Sequence, residues 1–475
     1  MRHGLLALAL AAPLGAAGLV QAAPLRSTLD DQKALAVTVY NGDLALVKDT
    51  RELTVPAGES VLELRDVSAQ IRPETALLRV AKGRPIALLE QNFDFDLLTP
   101  AKLLEKYIGR EVRVVRTHPT SGADSTETAT VLAAGEGVVL KIGDRIETGV
   151  PGRLVFDAVP DNLRDRPTLA VTVDGDGAGQ RALELSYLTG GLTWQADYVA
   201  ELAANERELA LSGWVTLTNR SGTAYRHALL QLVAGDVNRV QPAMQRGVMA
   251  AEMMAKSDAG AMREESLLDY HLYTLGRPTT LADQQTKQVA LLTAPTVQVH
   301  KEYRLTGGQY YYAARTGEVD TPHKVAVLLH VDNRKAAGLG LPLPAGVVRV
   351  YQRDSGGGAQ FVGEDRIDHT PQNETARIKL GDAFDVTARR TQTDFKVLTV
   401  DKDQRPQFES AWRLELKNAR KTPVTVTVDE PIPGDWDMLD SSHPHKKAAA
   451  HTARWRVIVP AGSGQTLTYR VRVKI

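Results

Sequence analysis

The sequence predicts a mainly β protein. Tandem immunoglobulin-like β-sandwiches follow a small N-terminal β-domain and an insert made of a short helix plus a small barrel. Two observations predict this class. Apolar and polar residues alternate through most of the 475 residues, which is the period of a β-strand. Turn-forming Gly, Pro and Asn separate the alternating runs, and helical periodicity is confined to one short segment.

Residues 1–23 have the layout of a secretory signal peptide. Arg2 and His3 precede an apolar run, and small residues then offer cleavage after Ala22 or Ala23. The apolar run is short for a membrane span, and no later run reaches the roughly 18 apolar residues that a span needs. We therefore expect an exported, periplasmic protein with no transmembrane span after signal cleavage.

The composition excludes several classes of protein. Lys plus Arg equal Asp plus Glu at 57 each, so no overall field attracts nucleic acid, and we expect no nucleic-acid partner. The chain has no Cys, which excludes disulfides, thiolate catalysis and Cys-based zinc sites. A hydrophobic fraction of 43% is ordinary for a folded protein and too high for general disorder.

Residues 24–96 form the predicted N-terminal β-domain. Asn41-Gly42 lies between two alternating runs, and both positions of such a hairpin turn favour positive φ. Residues 97–165 then hold the strongest helix signal in LLTPAKLLEKYIG, where Thr99 can cap and Pro100 fits the first turn.

Four apolar residues share one face of that predicted helix, and Gly109 suits its end: Leu103, Leu104, Tyr107 and Ile108. Several short strands follow the helix. This order predicts a small closed barrel of the SH3 or Sm-like sort.

Residues 166–240 and 297–395 are predicted to build the sandwich domains, and 396–475 a C-terminal immunoglobulin-like sandwich. Trp194 and Trp214 lie within alternating runs, so we expect both to anchor the core. Residues 241–296 differ from the neighbouring segments in composition and in residue pattern. Their Met- and Ala-rich first half predicts a mobile or partly helical excursion, and their second half predicts a strand that returns to the sandwich.

Three asparagines end strands in similar surroundings, at Asn219, Asn333 and Asn418. Asn tolerates left-handed conformations and bonds nearby backbone, which suits a strand end. We interpret the three copies as corners of the fold rather than as a site.

Six runs together resemble one family: residues 187–202, 213–240, 269–292, 341–370, 381–395 and 430–445. They resemble the bacterial envelope proteins that share a domain of unknown function with mucoidy-inhibitor-like proteins, over roughly residues 170–475. The resemblance implies an exported, β-rich protein and no established reaction. In the mucoidy-inhibitor-like relatives a coiled coil precedes this domain, whereas here the helix-plus-barrel insert takes that place.

Two groups of residues are weak metal candidates. Met249, Met253 and Met254 carry thioethers that suit Cu(I), but their spacing defines no single coordination face. A second group, the histidines of SSHPHKKAAAH, could share a divalent ion but matches no zinc framework: His443, His445 and His451. We interpret the Met group as loosely packed apolar chain and the His group as a polar loop. We predict no cofactor.

The segment GEDRIDH groups Glu364, Asp365, Asp368 and His369, which could perform acid–base work. The alternative reading is a solvated turn. No nucleophile, zinc-hydrolase or phosphate-loop motif accompanies these residues, so we predict a protein that is not an enzyme. A carboxylate-dependent envelope hydrolase stays as the alternative, and it requires these groups to meet in a pocket.

The C-terminal end is basic, with no acidic residue after Asp440. If its last two strands pair, five cations line one sheet face as a candidate surface for an anionic ligand: Arg454, Arg456, Arg470, Arg472 and Lys474. The alternative is a solvated face whose charges deter sheet-to-sheet aggregation. The leading functional prediction is thus an exported, non-enzymatic envelope protein that binds a partner protein or an anionic surface polymer. A periplasmic metal-binding protein is the further alternative.

Overall fold

A computed structural model of the chain describes residues 23–94, 96–135, 137–160, 163–235, 262–267, 270–312, 314–316, 318–398 and 406–474. Strands account for 67% of the structure and helices for 5%, so the predicted mainly β class is confirmed. The predicted signal segment through Ala22 lies outside the described residues. So do Met249, Met253 and Met254 of the predicted excursion.

The described N-terminal half holds sixteen strands and one α-helix. They are β1 (Leu25–Ser27), β2 (Gln32–Tyr40), β3 (Leu44–Val55), β4 (Gly58–Arg65), β5 (Leu77–Lys82), β6 (Ile86–Asp94), α1 (Pro100–Lys106), β7 (Glu111–Thr117), β8 (Asp124–Ala133), β9 (Val139–Ile142), β10 (Arg145–Thr148), β11 (Arg153–Val155), β12 (Thr168–Gly175), β13 (Gly179–Thr189), β14 (Leu192–Leu202), β15 (Glu208–Asn219) and β16 (Tyr225–Ala234).

The described remainder holds fourteen more strands. They are β17 (Met262–Leu267), β18 (Tyr270–Leu275), β19 (Thr279–Leu281), β20 (Gln285–Thr306), β21 (Glu318–Asp332), β22 (Gly346–Arg353), β23 (Ala359–Ile367), β24 (Thr375–Leu398), β25 (Gln407–Asn418), β26 (Val424–Pro431), β27 (Asp435–Ser441), β28 (His445–Ala449), β29 (Thr452–Val459) and β30 (Ser463–Lys474). Short 3-10 helices occur at Leu29–Asp31, Pro73–Thr75, Gln309–Tyr312 and Lys335–Ala337.

Contacts divide the chain into two compact units. Of the described residues, the first unit takes those within 1–36, 46–190 and 221–225, and the second takes those within 37–45, 191–220 and 226–475. Strands β12 and β13, which the sequence placed in a sandwich domain from residue 166, therefore belong to the first unit. The predicted boundary between residues 395 and 396 falls inside β24.

The first unit contains a four-stranded sheet in the order β1-β4-β12-β6 and a five-stranded sheet in the order β10-β9-β8-β7-β11. The five-stranded sheet corresponds to the predicted small barrel, and closure is the part of that prediction that is wrong. Its two ends are β10 and β11, and no ladder joins them within the described residues. Among the described strands, β10 pairs with β9 and β11 pairs with β7, so the sheet stays open between its two ends.

The predicted helix forms as α1. The Thr99 hydroxyl accepts a hydrogen bond from the Lys102 backbone N–H at 3.1 Å, and so caps the first turn as expected. Leu104 and Tyr107 are buried against β7, β8 and β9. Ile108, predicted on the same apolar face, is 48% exposed, because the helix has already ended at Lys106.

The second unit is built from long strands that pass from one sheet into the next. One part runs in the order β23-β22-β14-β15-β20, and β20 continues into the order β21-β24-β25-β30-β27. The far end of β20 also pairs with β26, which is followed by β29 and β28. The sheet thus folds over into two facing layers at its C-terminal end.

The core of this C-terminal sandwich lies between the two layers. Trp412 and Trp455 are its largest apolar side chains, at 1% and 0% exposure. Trp455 stacks on Tyr469 of the opposite layer with ring centroids 4.9 Å apart. These aromatic contacts join β29 to β30 across the core rather than along a ladder.

The three strand-ending asparagines are buried corners of the second unit. The amide of Asn333 donates to the carbonyls of Leu341, Thr370 and Pro371, at 2.7, 3.2 and 2.9 Å. Asn418 donates in the same way to Thr422, Val459 and Pro460.

Asn219 donates to the carbonyls of Leu281 and Ala282. The predicted corner role is therefore confirmed. None of the three is among the described non-glycine residues with positive φ, so these corners do not use the left-handed conformation that Asn tolerates.

Candidate functional site

The five C-terminal cations do not share one face. Strand β29 pairs with β26 and β28, whereas β30 pairs with β25 and β27. The premise that these two strands pair is wrong. Both strands bury one set of alternate residues in the same core, but they do so from opposite layers.

Three of the five cations already have carboxylate partners. Arg454 contacts Asp429 through two hydrogen bonds of 2.5 and 2.8 Å. Arg470 pairs with Asp394 at 2.8 Å, and Arg472 pairs with Glu409 at 2.7 Å. Arg456 is exposed on β29, and Lys474 is half-buried on β30. The candidate surface therefore carries little concentrated positive charge.

The three C-terminal histidines bond to separate partners. His443 contacts Ser442 and Gln465, and His451 contacts the carbonyl of Gly434 at 3.0 Å. The ring of His445 lies 5.9 Å from that of Trp455. Across the part of the chain that the structure describes, no three His, Asp or Glu side chains are grouped to hold a metal ion.

The acidic groups of GEDRIDH spread along β23 and the turn that follows it. Glu364 pairs with Arg349 at 3.2 Å. Asp365 accepts a hydrogen bond from the Lys379 backbone N–H at 2.7 Å, and Asp368 is exposed. His369 contacts Asn41 at 3.3 Å. Neighbours on a strand point to opposite faces, so these residues do not converge as the hydrolase alternative requires.

The most deeply buried charges form a closed cluster in the C-terminal sandwich. Arg390 and Glu430 pair there with no solvent exposure of either side chain. Burial alone would lower the pKa of Arg390, but the negative charge of Glu430 outweighs it and raises that pKa.

Two tyrosines complete this cluster. Tyr312 donates to Glu430 at 2.9 Å, and its hydroxyl also contacts that of Tyr469 at 2.9 Å. Burial and the nearby Glu430 charge raise the pKa of both phenols well above 10.0. The cluster is closed to solvent and offers it no reactive atom.

The space enclosed by the strands before the C-terminal sandwich is also filled. Between β14, β15, β22 and β24 lies an apolar void of about 10 Å³, lined by Tyr198, Leu211, Val348 and Ile378 among others. That volume is at the lower limit for a single water molecule. A ligand in this region would therefore have to bind on the outer surface of the sheet.

The outer face of β15 carries Trp214. Its neighbours Gly213 and Val215 are buried, whereas Trp214 is 42% exposed, so the prediction that it anchors the core is wrong. Trp194, at 7% exposure, confirms the same prediction. Trp214 shares its face with Thr216 and Thr218, which the strict alternation of GWVTLTN already indicates.

A surface cleft of about 380 Å³ opens beside this tryptophan. It is lined by Trp214, Leu275, Gly276, Arg277, Gln288, Val289 and Ala290. A single exposed apolar residue is ordinary. A cleft of this size with an aromatic wall and a few polar groups has the volume of a small-ligand site, and it is open to solvent.

The polar groups of the cleft differ in their bonding. Gln288 donates from Nε2 to the Thr216 hydroxyl at 3.1 Å. Arg277 is exposed, and no carboxylate pairs with it within the described residues. The cleft therefore presents an aromatic ring, an amide and one uncompensated cation, and sequence reasoning did not single out Arg277 or Gln288.

A buried carboxylate lies next to the cleft. Asp197 is the β14 neighbour of Trp214, and its side chain is only 11% exposed. Arg349 donates to Asp197 Oδ1 at 3.1 Å, and the Thr216 hydroxyl donates to Oδ2 at 2.6 Å. We call Arg349, Asp197, Thr216 and Gln288 the relay, because hydrogen bonds connect them in that order.

Comparison with known proteins identifies a family. A family model described as a domain of unknown function (DUF4139) matches residues 183–475, a range that includes the whole cleft and relay. No curated protein matches the chain. In the described part of the chain, no helix has the length and apolar character needed to cross a membrane.

Proposed function

This chain belongs to the DUF4139 family, and we propose that it is an exported, non-enzymatic protein of the bacterial cell envelope that binds an anionic surface polymer. Export is supported by the signal-like layout of residues 1–23. The envelope setting is supported by the resemblance to mucoidy-inhibitor-like proteins.

One observation carries the choice of ligand: Trp214 is exposed as the wall of a cleft that also holds Arg277 and Gln288. An indole ring offers a rigid apolar surface, which suits the C–H face of a pyranose ring. The amide bonds hydroxyl groups, and the guanidinium pairs with carboxylate or phosphate. A glycan with acidic groups combines all three chemistries.

The basic C-terminal strands take a secondary part in this proposal. Arg456 and Lys474 lie in different layers of the sandwich, so they can add only to long-range attraction. Such attraction falls with ionic strength. The cleft itself supplies short-range recognition.

The test is binding to purified acidic and neutral polysaccharides, measured by calorimetry at low and high salt. The wild type should bind acidic polymers and bind them more weakly as salt rises. Trp214→Ala should weaken binding about 30-fold, which corresponds to the roughly 2 kcal/mol of a tryptophan hot spot.

Phe384→Ala is the matched control, since Phe384 is 95% exposed but does not line the cleft. It should leave the affinity unchanged. Equal losses in the two variants would contradict a role for the cleft. Binding to an envelope protein with no polymer binding, or turnover of a polymer, would overturn the proposal.

A further inference from the structure

The relay beside the cleft has a direction that elementary hydrogen-bond chemistry fixes. An ionised carboxylate only accepts hydrogen bonds, and a hydroxyl group has a single proton to donate. The Thr216 hydroxyl lies 2.6 Å from Asp197 Oδ2, so its proton points to Asp197. The Thr216 oxygen is then left to accept from its other neighbour.

That neighbour is Gln288. Because Thr216 must accept, the group of Gln288 that faces it is the amide nitrogen, at 3.1 Å. The carbonyl oxygen Oε1 of Gln288 is therefore on the side away from Thr216, and it has no partner within the described residues. Arg349 supports this order, because its bond to Oδ1 holds the Asp197 carboxylate in place.

We propose that Asp197 and Thr216 are positioning residues that hold the Gln288 amide with its carbonyl oxygen toward the cleft. The cleft then selects a sugar that offers a hydroxyl donor at this point, while Trp214 stacks on the ring and Arg277 pairs with the acidic group. This inference rests on the proposed function. It adds the direction of one hydrogen bond, in which the ligand donates and Gln288 accepts.

The consequence is a preference between closely related sugars. A site arranged to accept a proton from a hydroxyl group discriminates against the analogue that lacks that group. One net hydrogen bond at a partly exposed position corresponds to a discrimination of about three- to tenfold. The preference should depend on Thr216 and Asp197, although neither lines the cleft.

The first experiment needs no ligand. The side-chain amide signals of Gln288, assigned by comparison with Gln288→Ala, are followed by NMR. In the wild type one amide proton should be protected by its bond to Thr216. Thr216→Val should remove this protection and Thr216→Ser should keep it, while Thr218→Val on the same face should have no effect.

Asp197→Asn should reverse the direction of the relay. Arg349 keeps the side-chain oxygen of the new residue, so its NH2 group faces Thr216. Thr216 then accepts from position 197 and donates to Gln288, which turns its amide around. The Gln288 amide protons should lose their hydrogen bond to Thr216 and exchange faster with solvent, while the chain stays folded. An unchanged Gln288 signal in both Asp197→Asn and Thr216→Val would overturn the inference.

The second experiment uses methyl glucuronide and its monodeoxy derivatives as probes, titrated by NMR. The wild type should bind one monodeoxy derivative about three- to tenfold more weakly than the parent. Thr216→Val should lose this difference in affinity, and Thr216→Ser should retain it. In Asp197→Asn the NH2 group of Gln288 should face the cleft, so this variant should prefer a sugar whose oxygen accepts a hydrogen bond at that point.

The two proposals fail in different ways. Full discrimination by Thr216→Val would contradict the positioning role while leaving the binding function intact. Failure of the wild type to bind any acidic polymer or glucuronide would contradict the proposed function, and with it the sugar selectivity. The amide signals would still report on the direction of the relay in that case.

Discussion

Arg390 and Glu430 form an ion pair through two hydrogen bonds of 2.6 and 2.7 Å, and neither side chain reaches solvent. Arg390 also lies over the ring of Tyr311, with its guanidinium carbon 4.6 Å from the ring centroid. The pair joins β24 to β26, which belong to opposite layers of the C-terminal sandwich. The effect of each partner on the unfolding free energy depends on the presence of the other.

Removing either partner should be strongly destabilising. Arg390→Met or Glu430→Gln leaves one buried group without its counter-charge, which typically costs about 3–5 kcal/mol of unfolding free energy. The double variant should lose clearly less than the sum of the single losses, since no isolated charge remains. Urea unfolding of the four proteins measures the coupling. Strictly additive losses would contradict the pairing.

Gly307 should be intolerant of any side chain. A Cβ at this position would lie 2.1 Å from Glu430 Oε2, inside contact distance. Gly307→Ala should therefore displace the buried carboxylate and lower the unfolding free energy by about 1–3 kcal/mol. Gly179→Ala is the control, because an added Cβ there meets no atom within 4 Å. Its stability, measured by thermal melting, should stay close to that of the wild type.

Asn418→Ala should loosen the turn between β25 and β26. The substitution removes three donated hydrogen bonds and the bond that Asn418 accepts from the Arg420 backbone N–H. Leaving such buried backbone groups unpaired costs about 1–3 kcal/mol. The exposed Asn205, which accepts a bond from Arg207, provides the control as Asn205→Ala. Comparable losses in both variants, by chemical denaturation, would contradict the corner role.

Glu302 should make stability depend on acid pH. Burial alone would raise its pKa, but hydrogen bonds from Thr427, His330 and Arg304 outweigh burial and hold the pKa below its ordinary value of 4.5. A carboxyl group with a lowered pKa stabilises the fold fully above that ordinary value. Its contribution is lost as the pH falls through the lowered pKa.

Glu302→Gln is the matching experiment. At pH 7 it should reduce the unfolding free energy by about 1.5–3 kcal/mol, the range for a hydrogen bond to a charged group. At a pH below the lowered pKa the wild type loses the same advantage, so the two proteins should converge. Denaturant unfolding at both pH values checks this, and a gap that widens in acid would contradict the assignment.

The alternation of apolar and polar residues predicted most of the strands, and it also indicated that Trp214 is exposed. In β15 the buried positions are Leu211, Gly213, Val215 and Leu217, so Trp214 falls on the opposite, polar face. The apolar indole ring suggested a core position, whereas the place of Trp214 in the alternation along the strand put its side chain on the outer face. The alternation predicted the side better, because the pleat of a strand fixes the direction of each side chain regardless of its chemistry.

Strand partners could not be predicted in the same way. The sequence from 452 to 474 is compatible with a hairpin, yet β29 and β30 join different layers. Alternation specifies which residues of a strand are buried, but it does not specify which other strand pairs with it. Arg277 was missed for a related reason, since it follows β18 in a turn and reaches the cleft only through tertiary packing.

Strand β20 has a mechanical consequence. Its residues from Gln285 to Gln298 pair with β15, and those from Val299 to Thr306 pair with β21 and β26. The backbone beneath the Trp214 cleft is thus part of the same continuous strand that enters the C-terminal sandwich. A pull applied along this strand would load the hydrogen bonds of its ladders together in shear, rather than opening them one after another.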